Sequence, residues 1–327
     1  MDNHVKENEL ISEKQGLKLF KGGMKTEILL LIILTLLFVA LSFASPVFFK
    51  VNNMKTLARQ ASIYGIVAIG MVFVITSSGI DLSVGSVVGL SGVLTAMLIV
   101  KGMPIPIAMI ISIIVGSLIG LINGILIHDG KVPPFIATLG TMTVTRAIIM
   151  LITGAKMVSG LPKSFTGIAQ MTTFGVPFLF IAWVITIVIA WFITQKTIFG
   201  RNIYAIGSNK EAARLSGIDV RKTTYGVYMF SAFVCSIAGI LLTARLGNGV
   251  PTAGTGYELD AIAASVVGGA SLDGGEGSVI GTVLGAMIMA TLRQGGTLLG
   301  INSFIVEIII GSLIVIAVLL DKLRKNK

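Results

Sequence analysis

The residues with the most chemical potential are a few polar groups set in apolar surroundings. Asp81 and Ser83 sit in the run Ser78-Gly79-Ile80-Asp81-Leu82-Ser83-Val84-Gly85. Tyr257, Glu258 and Asp260 open another apolar stretch, and Asn123 lies alone in a third. Carboxylates and amides accept hydrogen bonds from hydroxyl groups, and Tyr257 adds an aromatic face. This is the chemistry of binding a polar solute. Each group also has a structural reading. Asp81 and Ser83 can cap the helix that follows. Glu258 and Asp260 can complement a helix dipole. Asn123 can join two helices.

The remaining inventory excludes several activities. The two histidines, His4 and His128, are far apart, and Cys235 is the single cysteine, so neither a disulfide framework nor a Cys-rich metal site is expected. No Gly-x-x-x-x-Gly-Lys-Ser/Thr phosphate loop and no Gly-x-Ser-x-Gly elbow occurs. The Gly-rich stretch 268–277 lacks that lysine and carries Asp273 and Glu276, so it reads as a tight turn.

These groups are positioned by a chain built for lipid. Hydrophobic residues make up 54% and charged residues 12%, about half the charge of a soluble domain. Apolar blocks of helix-crossing length recur. The expected fold is an all-α polytopic membrane protein with about ten transmembrane helices, some short or broken. Spans are placed at 28–45, 62–78, 84–100, 105–127, 134–153, 177–194, 225–246, 258–270, 278–293 and 303–320. The first reads as an uncleaved helix. The eighth is too short to cross cleanly, so it either extends into its neighbours or is a half-helix. Residues 1–27 and 321–327 form polar tails around a membrane domain at 28–320. Lys and Arg concentrate in both tails and in the loop at 195–224, which places both termini and that loop in the cytoplasm. The same bias accounts for the net charge of +10 without nucleic acid. Gly-rich breaks at 78–85 and 268–275 suggest interrupted helices in two halves.

The loop at 195–224 holds one more pattern. Ser208 or Asn209 can cap a short helix, Glu211 falls in its first turn, and Gly217 can end it. Ala212 and Ala213 allow close backbone approach, while Arg214 supplies a polar contact. Glu211-Ala212-Ala213-x-x-x-Gly217 resembles the loop by which permeases of binding-protein-dependent ABC importers dock on their ATPase. The longer family pattern continues to Ile-x-Leu-Pro. Here Ile218-Asp219-Val220-Arg221 follows, a shortening seen in the ribose-type branch. Gly79-Ile80-Asp81-Leu82-Ser83-Val84-Gly85-Ser86, Pro134-Phe135-Ile136-Ala137-Thr138-Leu139-Gly140 and the run from Pro251 to Ala264 resemble the same branch. The chain is identified as a member of the ribose-type permeases of the ABC sugar importer family.

That resemblance implies a transport subunit and no enzyme. It implies a homodimer with two copies of an ABC ATPase, an external sugar-binding protein and a small-sugar substrate. ATP and Mg would bind the ATPase, and this chain would hold no cofactor. Asn209, Glu211, Ala212, Ala213, Arg214 and Gly217 would form the coupling helix. Asp81, Ser83, Asn123, Tyr257, Glu258 and Asp260 are the candidates for the pathway, in a cell-membrane protein surrounded by lipid. The rival is an ion-coupled secondary sugar transporter, which needs coupling groups at the midplane and leaves the Glu211–Gly217 pattern unexplained.

Overall fold

The computed structural model describes residues 26–325. The tail at 1–27 therefore lies almost wholly outside the described residues. The second tail does not separate from the last helix, which continues to Lys325.

Apolar runs become helices because a helix satisfies its own backbone hydrogen bonds, which lipid cannot. Among the described residues six helices are long and apolar enough to cross a membrane: α1 (Thr26–Ala44), α2 (Val51–Thr76), α4 (Ile105–His128), α5 (Pro134–Thr153), α7 (Phe178–Lys196) and α10 (Val220–Leu246). Between them lies α3 (Val84–Val100), 17 residues and almost wholly buried. The link from α5 to α7 carries α6 (Lys163–Thr166), a 3-10 turn (Gly167–Ala169) and a hairpin of β1 (Thr172–Thr173) and β2 (Val176–Pro177). Two helices separate α7 from α10, namely α8 (Ile198–Ser208) and α9 (Lys210–Leu215). The chain ends with α11 (Tyr257–Val267), α12 (Val279–Leu298) and α13 (Ser303–Lys325).

Burial sorts these helices into a centre and a periphery. The apolar windows of α2 and α10 are 78% buried, whereas those of α1, α4, α5 and α7 are 11–22% buried. The outer faces carry Leu36, Ile114, Ile136, Leu151, Val188 and Ile308, all exposed. Such apolar faces suit hydrocarbon, not water. At the centre, small residues let the backbones approach. A side chain at Gly239 of α10 would collide with the Val88 carbonyl of α3, and one at Gly70 of α2 would lie 3.1 Å from the Ser231 backbone of α10.

Several boundaries differ from the sequence reading. Helix α2 starts at Val51, not 62, because the helix continues through Asn52, Asn53, Lys55 and Arg59 beyond its apolar stretch. Helix α10 starts at Val220, where Asp219 accepts a hydrogen bond from the Lys222 backbone (3.0 Å). Helix α12 runs on to Leu298 and so encloses Arg293, which the sequence reading placed at the outer edge of that span. Helix α11 has 11 residues, about 16 Å of helix, and cannot cross alone.

Two non-helical passages lie deep in the structure. Residues 77–83 connect α2 to α3, with Ser78 in a left-handed conformation (φ 62°). Residues 247–256 return from the end of α10 to the start of α11 and pack on α3, where Gly85 leaves room for the Gly254 carbonyl and the Glu258 carboxylate. Irregular backbone is tolerated where protein surrounds it, as at Gly79, Asp81 and Ser83 in the first passage and at Gly249, Pro251 and Gly254 in the second. The glycine loop at 268–277 meets the first passage directly: the Gly275 N–H donates to the Thr76 carbonyl at 2.9 Å.

Candidate functional site: a coupling elbow and two buried polar clusters

The first feature is the elbow formed by α8 and α9. Thr197 breaks the path out of α7 with an extended backbone and accepts from the Gly200 N–H at 3.1 Å, which starts α8. The sequence reading treated this stretch as loop. Its mixture of Arg201, Asn202 and Tyr204 with Ile203 and Ile206 is an amphipathic helix with Ile203 and Ile206 turned inward. Asn209 then caps α9, its Oδ1 accepting from the Ala212 N–H at 2.9 Å. At the other end the Gly217 N–H donates to Arg214 and the Ile218 N–H to Ala213, both at 3.1 Å. This is a Schellman closure, and it needs the left-handed φ of 84° that Gly217 supplies.

One face of α9 is held and the other is free. Ala213 is buried against Ile206 and Val220. Lys210, Glu211, Ala212, Arg214 and Leu215 are exposed. Glu211 pairs with Arg214 at 2.6 Å. That pairing holds the Glu211 carboxyl below its ordinary range, chiefly through the Arg214 hydrogen bond.

The elbow leans on the end of α2. A side chain at Gly207 would overlap the Thr76 carbonyl oxygen, and one at Gly274 would lie 2.6 Å from Ser78. Tyr204 Oη donates to the Gly277 carbonyl at 2.8 Å. Helix α8 therefore touches α2 at Thr76, where the passage to α3 begins.

The first buried cluster lies on that passage and brings together three of the candidate residues. Asp81 Oδ1 accepts from the Ser83 N–H (2.9 Å) and the Ser83 hydroxyl (2.6 Å). Asn123 Nδ2 donates to Ser83 Oγ at 2.8 Å, and Thr141 Oγ1 donates to Asn123 Oδ1 at 2.7 Å. Ser231 Oγ reaches Asp81 Oδ2 at 3.4 Å. The Asp81 contact with the Ser83 N–H is a local turn at the start of α3. Asn123 joins α4 to that turn. Among the described residues no cation pairs with Asp81. A buried carboxylate held only by hydroxyl and amide donors fixes the passage but stays sensitive to the loss of any one donor. Thr141 and Ser231 have no special sequence signal, since Thr and Ser are frequent in these helices.

The second cluster gathers Tyr257 and Asp260 around Tyr64 and leaves Glu258 apart. Tyr257 packs against Tyr64 of α2 with the rings tilted by 51° and their centroids 4.7 Å apart. Asp260 binds Arg293 of α12 at 2.6 Å, with side chains 8% and 25% exposed, and the Arg293 guanidinium lies 5.8 Å from the Tyr64 ring. Glu258 turns away: its Oε1 accepts from the Gly256 N–H at 3.2 Å. Its buried Oε2 has no hydrogen-bond partner and rests against Gly85. Nearby, Arg146 donates to the Ala253 carbonyl at 2.6 Å, holding the second passage to α5. The partnership of Asp260 with Arg293, 33 positions away, is set by the packing of α11 on α12 and carries no local sequence signal.

On the elbow's face of the molecule, Asp129 at the end of α4 binds Arg221 at 2.9 Å and accepts from Tyr225 and His128. The Tyr225 hydrogen bond is the largest of the influences that lower its pKa to about 2.

Helices with lipid-compatible outer faces, broken passages between them and a capped surface elbow are those of a multi-pass membrane protein. The chain belongs to the family described as branched-chain amino acid transport system / permease component, which matches residues 53–318. It is similar to the ribose import permease protein RbsC of Bacillus subtilis, with 43% identity over 88% of this chain and 90% of the relative. RbsC of Haemophilus influenzae is also 43% identical, over 90% of this chain and 93% of the relative. The D-allose transport system permease protein AlsC of Escherichia coli is 38% identical over 86% and 87%. No solved structure gave a significant match.

Proposed function

We propose that this chain is the transmembrane permease of an ATP-driven (ABC) importer for ribose or a closely related small sugar delivered by an external binding protein. The observation that carries this reading is α9. It is capped at both ends, held by Ala213, and presents Glu211, Ala212 and Arg214 outward. A six-residue helix with no long apolar face gains little by standing alone, and its exposed face suits a protein partner. The names of the relatives supply the substrate class.

In this reading ten apolar helices, α1–α5, α7 and α10–α13, make ten membrane segments, with α11 a half-helix. The elbow and both termini face the cytoplasm, in the cell membrane. Two copies of this chain sit on two copies of an ABC ATPase, which binds ATP and Mg. ATP binding moves α9, α8 pushes on Thr76 through Gly207, and the passage holding Asp81 and Ser83 shifts. Asp81, Ser83, Asn123, Tyr257, Glu258 and Asp260 border or brace the pathway.

The test is labelled-ribose uptake into proteoliposomes holding this chain, its ATPase and its binding protein. Wild type is compared with Glu211→Ala/Gly217→Arg, with and without internal ATP. ATP-dependent uptake that the double variant abolishes, with the protein still folded, supports the reading. Uptake without ATP, undisturbed by the variant, overturns it in favour of an ion-coupled transporter. ATP-dependent uptake of another sugar alone corrects the substrate.

A further inference from the structure

The elbow leans on the end of α2 at Thr76 and follows the end of α7 at Lys196, so the starts of both helices, Val51 and Phe178, lie on the opposite face. The links at that face carry an unbalanced charge. Residues 45–60, from the α1–α2 link into α2, hold Lys50, Lys55 and Arg59, and residues 155–180, from α5 to α7, hold Lys156 and Lys163. Neither stretch contains Asp or Glu. Among the described residues no carboxylate pairs with Lys50 or Lys55. Uncompensated cations at the ends of membrane helices attract an anionic partner.

Between these links lies an apolar groove of about 320 Å³. Its walls include Phe49 of the link, Val51, Met54 and Lys55 of α2, and Pro177 and Phe180 where α7 begins. Lys55 is the one charged side chain among the described residues that line it. Phe49 is fixed by edge contacts with Phe48 and with Phe38 of α1, their ring centroids 5.1 and 6.4 Å away. The groove continues into the lipid-facing side of α7. Phe180, Val184 and Val188 recur every four residues and share one stripe of that helix, and Val184 and Val188 are exposed. A groove that runs into such a row suits an acyl chain, while a lysine in its wall can lay its stem on the apolar surface and reach a headgroup with its ammonium. A soluble acidic protein would match the lysines but not the apolar row.

We infer that this groove binds one acyl chain of an anionic phospholipid, in the leaflet opposite the elbow, with the Lys55 ammonium on the headgroup phosphate. A zwitterionic headgroup carries its own cation beside the phosphate, so the lysine selects a headgroup of net negative charge. The bound lipid bridges the buried centre, at α2, to the periphery, at α7. The inference does not depend on which solute the chain transports.

The experiment uses tryptophan fluorescence of the full chain in phosphatidylcholine vesicles, quenched by brominated phosphatidylglycerol or, in parallel, by brominated phosphatidylcholine. The chain has two tryptophans. Trp183 is buried, and Trp191 is exposed on α7 and reports ordinary surrounding lipid. Phe180→Trp in a Trp191→Phe background places a reporter in the groove, and the Trp191→Phe chain supplies the Trp183 signal to subtract. Val51→Trp, at an exposed position of the groove, is the second reporter should Phe180→Trp fail to reconstitute. In the groove, brominated phosphatidylglycerol is expected to reach half-maximal quenching at a mole fraction about fivefold lower than brominated phosphatidylcholine, the preference one lysine near a headgroup confers. Trp191 in the wild type is expected to show no preference. Adding Lys55→Ala should abolish the preference at the groove, and Lys55→Arg should keep it. Equal quenching by the two lipids at the groove would mean surrounding lipid only and overturns the site. Quenching by neither means that protein covers the groove, a second copy of this chain included, and overturns it too. A preference that survives Lys55→Ala overturns the assignment of the headgroup to Lys55.

Discussion

Two ion pairs of identical length have opposite settings. Glu211 and Arg214 meet at 2.6 Å with side chains 66% and 61% exposed. Asp260 and Arg293 also meet at 2.6 Å, with side chains 8% and 25% exposed. Distance alone would rank them equal. Water decides otherwise. The exposed pair is screened and must order two long side chains, so its net contribution to stability is small. The inner pair has already lost its hydration, so removing one partner strands a charge at a cost of about 3–5 kcal/mol. The first pair is therefore free to serve a partner, whereas the second ties α11 to α12.

The largest expected effect follows from that contrast. Arg293→Met should destabilise the purified protein by about 3–5 kcal/mol, read as a clear fall in its thermal unfolding midpoint in detergent. Arg293→Met/Asp260→Leu should recover much of that loss, because no unpaired charge remains. Glu211→Ala, by contrast, should leave the unfolding midpoint nearly unchanged while reducing ATP-dependent uptake. A large midpoint shift in Glu211→Ala, or none in Arg293→Met, would break the comparison.

A second effect sharpens the link between the elbow and the interior. Gly207→Val forces a branched side chain into the Thr76 carbonyl. Overpacking of this kind costs about 1–3 kcal/mol. The expected result is a moderate fall in midpoint with a larger proportional loss of uptake per ATP hydrolysed. Gly140→Ala, where nothing lies within 4 Å of an added Cβ, is the matched control and should leave both readings unchanged.

The same division between surface and interior governs what could be read from the amino acids. Helices α3 and α5 were legible to the residue, at 84–100 and 134–153, because their apolar runs stop at Pro, Gly or charged residues. The cap and stop of α9 were legible because both are local: Asn209 acts three residues ahead, and Gly217 acts through its own φ. Helix α8 was missed because an amphipathic surface helix lacks a long apolar run. The start of α2 was missed because helix outlasts hydrophobicity there. The Gly-rich segments at 78–85 and 268–275 were legible as breaks, and the loop at 268–277 proved to be a wall of the first passage. The passage at 247–256, which actually faces Gly85, was not recognised as a break. Ser83, two residues on, was in view as a neighbour of Asp81, but the distant partners of Asp81 and Asp260 could not be read at all. Ser231 stands 150 positions from Asp81 and Arg293 33 from Asp260, and only packing of the helices sets those pairs.

The smallest expected effect concerns a pair between the two extremes. Asp129 binds Arg221 at 2.9 Å, with side chains 35% and 60% exposed, and accepts a hydrogen bond from Tyr225. Its pKa is lowered from 3.8 to about 2, with the Tyr225 hydrogen bond as the first cause and His128 next. A carboxyl whose folded pKa lies below its unfolded value binds fewer protons when folded. Its contribution is present in full above about pH 4, and it is lost as pH falls towards 2. Wild type should therefore lose midpoint across that window more steeply than Tyr225→Phe, and the two curves should converge at the acid end. Equal slopes would mean that Tyr225 does not hold Asp129 ionised. A difference as large as that of Arg293→Met would mean that this face of the molecule is drier than its exposure implies.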